Sequence, residues 1–151
     1  MKIYYKKYRK HYKYKLIEPF SIEIDSCKDS TFHDLFYEFD NGQVNGGWAK
    51  ITPFGALEIK EGYAWDGPSG PSLDTKNFMR GSLVHDALYQ LIRERILSKK
   101  YRKMADKEMR KINLIDGMSK FRAWYTYLAV RMFGFFFVKR NRKTNEIISA
   151  P

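Results

Sequence analysis

The chain has 151 residues, a net charge of +11 and a hydrophobic fraction of 44% that includes 11 Tyr and 11 Phe. That length suits one domain with a real core, and the aromatic content excludes a disordered chain despite 30% charged residues. Cys27 is the single cysteine, which excludes an internal disulfide and paired-cysteine zinc motifs and points to a reducing interior.

The charge is concentrated at the two ends. Residues 1–15 hold seven Lys/Arg and no acid, and residues 139–143 hold four more and no acid. The remaining 17 basic residues face 16 acids in the body between, the seventeenth acid being Glu146 in the tail, so the body is close to neutral. This divides the chain into a basic aromatic arm or edge strand (1–15), a single α+β domain (16–138) and a basic tail (139–151). Ends of this kind favour an anionic surface, whether a phospholipid membrane, nucleic acid or an acidic protein, through attraction that salt weakens. The N-terminus lacks the apolar run of a secretory signal, so no export is expected. The most apolar window, 123–138, is shorter than a membrane span and contains Arg131, and it reads as a buried helix.

In chain order, Tyr4, Tyr5, Tyr8, Tyr12 and Tyr14 interleave with Lys6, Lys7, Arg9, Lys10 and Lys13. Such rings can stack on bases, settle at a membrane interface or pack on their own domain. Phe20, Ile22 and Ile24 alternate with Ser21, Glu23 and Asp25, the period of a half-buried strand. Residues 35–39 form a second candidate, closed by the turn residues Asp40-Asn41-Gly42. Residues 48–52 and 56–60 read as a hairpin around Pro53-Phe54-Gly55.

Beyond the glycine- and proline-rich stretch at 62–71 the period becomes helical. Asp74 or Thr75 can cap a first helix that sets Phe78, Ser82, His85, Tyr89 and Ile92 near one face and ends near Arg93. Ser98 can cap a second, with Tyr101, Ala105, Ile112 and Ile115 spaced for burial, and Gly117 ends it. Ser119 opens a third, whose apolar stripe of Phe121, Trp124, Tyr125, Leu128, Met132 and Phe135 is expected to face the core. The fold class is therefore α+β, a small, mainly antiparallel N-terminal β-sheet followed by a three-helix C-terminal half.

His85 lies eight residues before the predicted turn at 93–98, and Asp106 lies eight after it. Each is then about 12 Å from the turn, at matching height on antiparallel helices. A carboxylate on one imidazole nitrogen sets the tautomer and leaves the other nitrogen to take a proton from water. Tyr89, one turn beyond His85, can orient that carboxylate. Asp86 points about 100° away from His85, toward the loop, where Asp66 and backbone carbonyls of residues 67–70 can join it in an all-oxygen calcium site. In a purely structural reading, His85 bonds a core carbonyl, Asp86 pairs with Arg80 or Arg93, and Asp106 pairs with Arg102 or Arg110.

Residues 62–134 resemble an uncharacterised domain family of tailed bacteriophages and prophages. The likeness is carried by Gly62, Tyr63, Asp66 and Pro71, by His85-Asp86-x-Leu88-Tyr89, by Ala105-Asp106, and by Ala129-Val130-Arg131-x-x-Gly134. It covers about half of the chain and implies a phage protein, in the cytoplasm of an infected bacterium or in the virion. The same region is similar to bacterial and fungal secretory phospholipase A₂ enzymes, which place a calcium loop before a His-Asp-x-x-Tyr helix and a supporting Asp on the next. That likeness implies that His85 activates water, Asp106 orients it, and Asp86 with Asp66 holds calcium.

The leading expectation is a hydrolase-like protein acting on a phospholipid or another ester. A virion or assembly component that uses its basic ends to contact other phage proteins, and a nucleic-acid binder acting through residues 1–15, are the alternatives. With only His11, His33 and His85 available, a multiple-histidine metal phosphohydrolase is the least supported.

Overall fold

In a computed structural model, residues 1–7, 13–24, 47–52, 54–67 and 75–139 of the chain are described. The expected strand at 35–39 and its turn lie outside the described residues, as do His11, Cys27, His33, Asp74, the loop at 68–71 and the tail at 140–151.

Strands come first and helices second, an α+β order. The strands form two three-stranded antiparallel sheets. In the first, β1 (Tyr5–Lys7) pairs with β2 (Tyr14–Leu16), which pairs with β6 (Ala64–Trp65). In the second, β5 (Ala56–Ile59) lies between β3 (Phe20–Glu23) and β4 (Ala49–Ile51). Alternation decides which side chains go in: Ile51, Leu57 and Ile59 are buried, with Leu57 opposite both Ile22 and Ile51. Gly55, at φ 80°, permits the β4–β5 turn, and the Thr52 hydroxyl accepts from the Ala56 amide at 3.0 Å. In the basic aromatic stretch, β1 is an edge strand. Tyr5 packs edge-on against Tyr14 and Trp65, with centroids 5.4 and 5.7 Å away.

Helix α1 (Lys76–Arg93) is the centre of the molecule, buried over most of its surface between the sheets and the other helices. Thr75 stands at its N-cap position, but its hydroxyl bonds the Asn77 side chain at 2.6 Å and caps no backbone amide. The chain reverses through Arg95, at φ 63°, and Ser98 caps a single 3₁₀ turn (Lys99–Tyr101) that leads into α2 (Arg102–Ile115). Arg80 of α1 makes a two-pronged pair with Asp116 at 2.6 and 3.1 Å. Asp86 could not serve as its partner, because six helical residues carry it about 240° around the axis. Gly117, at φ 86°, ends the turn after α2, and α3 (Lys120–Lys139) follows Ser119.

Two expectations about burial are corrected. Ile115 is 66% exposed rather than buried. More consequentially, α3 turns its aromatic stripe outward: Phe121, Trp124, Tyr125 and Met132 are exposed, and Leu128 is half-buried. Side chains at 135–139, Phe135 included, lie outside the described residues. Ala123, Thr126 and Gly134 face inward, with Val130 packed beside Phe78, Met109 and Met118. The reason is steric. At Gly134 an added Cβ would lie 2.5 Å from the Tyr89 hydroxyl, so α3 approaches α1 more closely than a large inward side chain would allow. Among the described residues no helix is long and apolar enough to cross a membrane.

Candidate functional site

Four of the five expected site residues lie on α1 and α2. Helix α1 presents His85, Asp86 and Tyr89, and α2 presents Asp106. Their heights match as the residue count requires. His85 Nε2 lies 3.0 Å from Asp106 Oδ1, and the Tyr89 hydroxyl donates to the same oxygen at 2.6 Å. The imidazole and phenol rings lie 4.1 Å apart between centroids. The other Asp106 oxygen, Oδ2, accepts from Arg131 Nη1 of α3 at 2.9 Å. Asp106 is fully buried, and all three of these donors converge on its carboxylate.

Arg102, in the first turn of α2, adds a second guanidinium. Its Nε donates to the Tyr89 hydroxyl at 3.2 Å, and its Nη2 donates to the carbonyls of Val130 and Arg131. Sequence reasoning assigned neither arginine to the site. Their signal lay in the Ala129-Val130-Arg131-x-x-Gly134 segment: Arg131 reaches Asp106, and Gly134 makes room for Tyr89.

The electrostatics follow from this packing. Burial favours a neutral Asp106, but hydrogen bonds from His85, Tyr89 and Arg131 outweigh it and hold the carboxyl below its ordinary 3.8. Burial likewise pulls the His85 imidazole down. Asp106 and Asp86 overcome that and raise it above 6.5. Burial and the Asp106 charge push the Tyr89 phenol far above its ordinary range, so it stays a donor. Facing a carboxylate, His85 Nε2 carries a proton, and Nδ1, 3.6 Å from Asp86 Oδ1, is the position that gains and loses one.

The signs of these shifts give a stability profile. The raised imidazole contributes stability that is fully present below about pH 6.5 and lost as pH climbs through its folded value. The depressed Asp106 contributes stability above about pH 3.8 that is lost as pH falls through its lower folded value. Thermal unfolding recorded from about pH 5 to 9 should therefore show a decline on the alkaline side. The substitution His85→Gln should flatten it; a decline of the same size in that variant would exclude His85 as the cause.

Asp66 reaches this neighbourhood from β6. Trp65, 1% exposed, anchors the strand by donating Nε1–H to the Ser82 hydroxyl of α1 at 3.3 Å. Partial desolvation and the Asp86 charge raise the Asp66 carboxyl, opposed by the charge and backbone amide of Lys13. Buried Tyr63 is raised by its burial and then by the charge of Asp86, with smaller contributions from Glu94 and Asp66 that Arg93 opposes. Carboxylates are the hard oxygen donors calcium takes, but among the described residues no group of three His, Cys, Asp or Glu is placed to hold a metal ion. Water or backbone oxygen would have to complete such a site.

His85 is only 7% exposed, and Asp86, 3.6 Å from its Nδ1, has a side chain that is 28% exposed. A groove of about 380 Å³ lies elsewhere, on β3, β4 and β5 between Phe20, Trp48 and the Lys50–Glu58 pair. It has no part in the His85 chemistry. Comparison of the chain with protein-family models, curated proteins and solved structures finds no match.

Proposed function

We propose that this chain carries a hydrolase-like site of the phospholipase A₂ kind, acting on a phospholipid or another ester. The observation that carries the reading is the sharing of Asp106 Oδ1 by His85 Nε2 and the Tyr89 hydroxyl, which leaves His85 Nδ1 on the side of Asp86. His85 is the general base, Asp106 sets its tautomer and supports the imidazolium, and Tyr89 orients Asp106. Neutral Nδ1 takes a proton from water as the water oxygen bonds to the ester carbonyl carbon. The tetrahedral intermediate then breaks its bond to the leaving alkoxide, which receives that proton, giving an acid and an alcohol. Asp86 with Asp66 would hold calcium, whose chemistry when bound is to polarise an ester carbonyl.

The test is hydrolysis of ester and phospholipid substrates with calcium or a chelator, comparing the native chain with His85→Gln and Asp86→Ala. Turnover should vanish in His85→Gln, and in the native chain it should rise with pH through an inflection above about 6.5. Rate and stability would then run in opposite directions across one titration. No turnover of any ester, together with no calcium-dependent rise in melting temperature, would end this reading.

A second reading, a non-enzymatic phage virion or assembly protein, is favoured by the near burial of His85 and by the arginines around Asp106, which make the same network a clasp between three helices. It predicts a fixed copy number in purified particles and no hydrolysis.

A further inference from the structure

We infer that the outer face of α3 is a docking surface for an anionic lipid bilayer, with the helix lying in the plane of the membrane. Successive residues turn about 100° around a helix, so Phe121, Tyr125, Leu128 and Met132 fall within a sector of about 60°, with Trp124 at its edge. Ala123, Thr126, Val130 and Gly134 occupy the opposite side, the one packed against the molecule. Phe121 is 76% exposed and Met132 69%, with Trp124 and Tyr125 nearly half exposed. Ile115, at 66% exposure just before the turn into α3, adds to the apolar surface. A row of large apolar side chains in solvent, on a helix whose inner face is already packed, marks an interaction surface.

Charge selects the occupant. Lys120 and Arg122 stand about 100° to either side of the Phe121 direction, flanking the stripe. Helix α3 contains no Asp or Glu, and Lys139, Arg140, Arg142 and Lys143 follow in sequence before the next acid, Glu146. Cations along the borders of an aromatic stripe suit lipid phosphates at the level where Trp and Tyr rings settle, with the apolar side chains in the acyl boundary. A second copy is a poor occupant, since an isologous pairing of this face would bring together two cationic helices without a carboxylate between them. The surface stands apart from the hydrolase reading: it needs no turnover and serves a binding protein equally well.

The experiment uses the full chain and vesicles of ether-linked lipids, which ester hydrolysis cannot consume, with either phosphatidylcholine alone or a mixture with phosphatidylglycerol. The chain should float with the anionic vesicles and not with the neutral ones. Binding should weaken about tenfold or more in the double variant Phe121→Ser/Trp124→Ser, and brominated acyl chains should quench the part of the fluorescence that Trp124→Phe removes. Because the altered residues are exposed, circular dichroism and the melting temperature should match the native chain. Phe121→Asp/Met132→Asp supplies an independent pair if the first is poorly folded. Unchanged binding in both pairs with no quenching of Trp124 would assign adsorption to the basic ends and overturn the proposal. So would failure to float with either vesicle, or a lipid-free dimer in sedimentation that the same substitutions dissociate.

Discussion

Replacing Asp106 with Ala is expected to cost about 3–5 kcal/mol of folding stability, the range for breaking a buried charge pair by removing one member. The fully buried carboxylate receives His85 Nε2, the Tyr89 hydroxyl and Arg131 Nη1. Without it, a guanidinium, a phenol and an imidazole lose their acceptor at once, the last two being almost fully buried. Asp106→Asn keeps an oxygen for Tyr89 but loses the charge and turns an NH₂ toward another donor, so it should fall between Ala and the native chain. Urea unfolding of the three proteins measures this, and loss in the midpoint at constant slope would identify it as loss of native stability. Nuclear magnetic resonance of His85 provides a second reading. With Asp106 neutralised, burial faces less opposition and the imidazole value should fall. A stability loss below about 1 kcal/mol would place Asp106 among ordinary hydrogen-bonded residues.

Gly81→Ala is the second large effect, and its sign is opposite to that from helix propensity. In an open helical site Ala is favoured over Gly by about 1 kcal/mol. Here an added Cβ would lie 2.0 Å from Asn113 Oδ1 and 3.1 Å from the Met109 carbonyl, both on α2. The helices must separate or the amide must move, at about 1–3 kcal/mol for overpacking. Asn113 is itself fully buried, and its side-chain nitrogen and oxygen have no hydrogen-bond partner among the described residues. Asn113→Ala should therefore cost less than about 1 kcal/mol, since it removes an unsatisfied amide as well as its contacts. In that background most of the Gly81→Ala penalty should disappear, a coupling of about 1–3 kcal/mol in a double-mutant cycle. Strict additivity would show that the close approach of α1 and α2 is not what keeps residue 81 small.

The juxtaposition of His85 and Asp106 was legible because helical rise is uniform and the reversal between Arg93 and Ser98 could be placed from capping chemistry. Tyr89 followed from the spacing of one turn. The strand at 20–23 was legible from alternation and that at 56–59 from the turn before it, yet the division into two sheets was not, since pairing of β6 with β2 joins residues far apart in sequence. Arg131 and Arg102 escaped for a similar reason: each finds its partner on another helix, and local charge patterns only suggested nearer ones. The facing of α3 was misread because apolar residues fall on both its inner and its outer face, which leaves little amphipathic signal to orient it. Close packing there selected small side chains, where a hydropathy argument selects large ones.

Arg131 comes 25 residues after Asp106 and 46 after His85. During synthesis the acid and its imidazole leave the ribosome before the guanidinium that neutralises the second carboxylate oxygen. A nascent polypeptide halted before that arginine would have His85 and Tyr89 on one oxygen of Asp106 and no guanidinium on the other. Full pairing of the Asp106 carboxylate is thus the last bond of the cluster to become available along the chain.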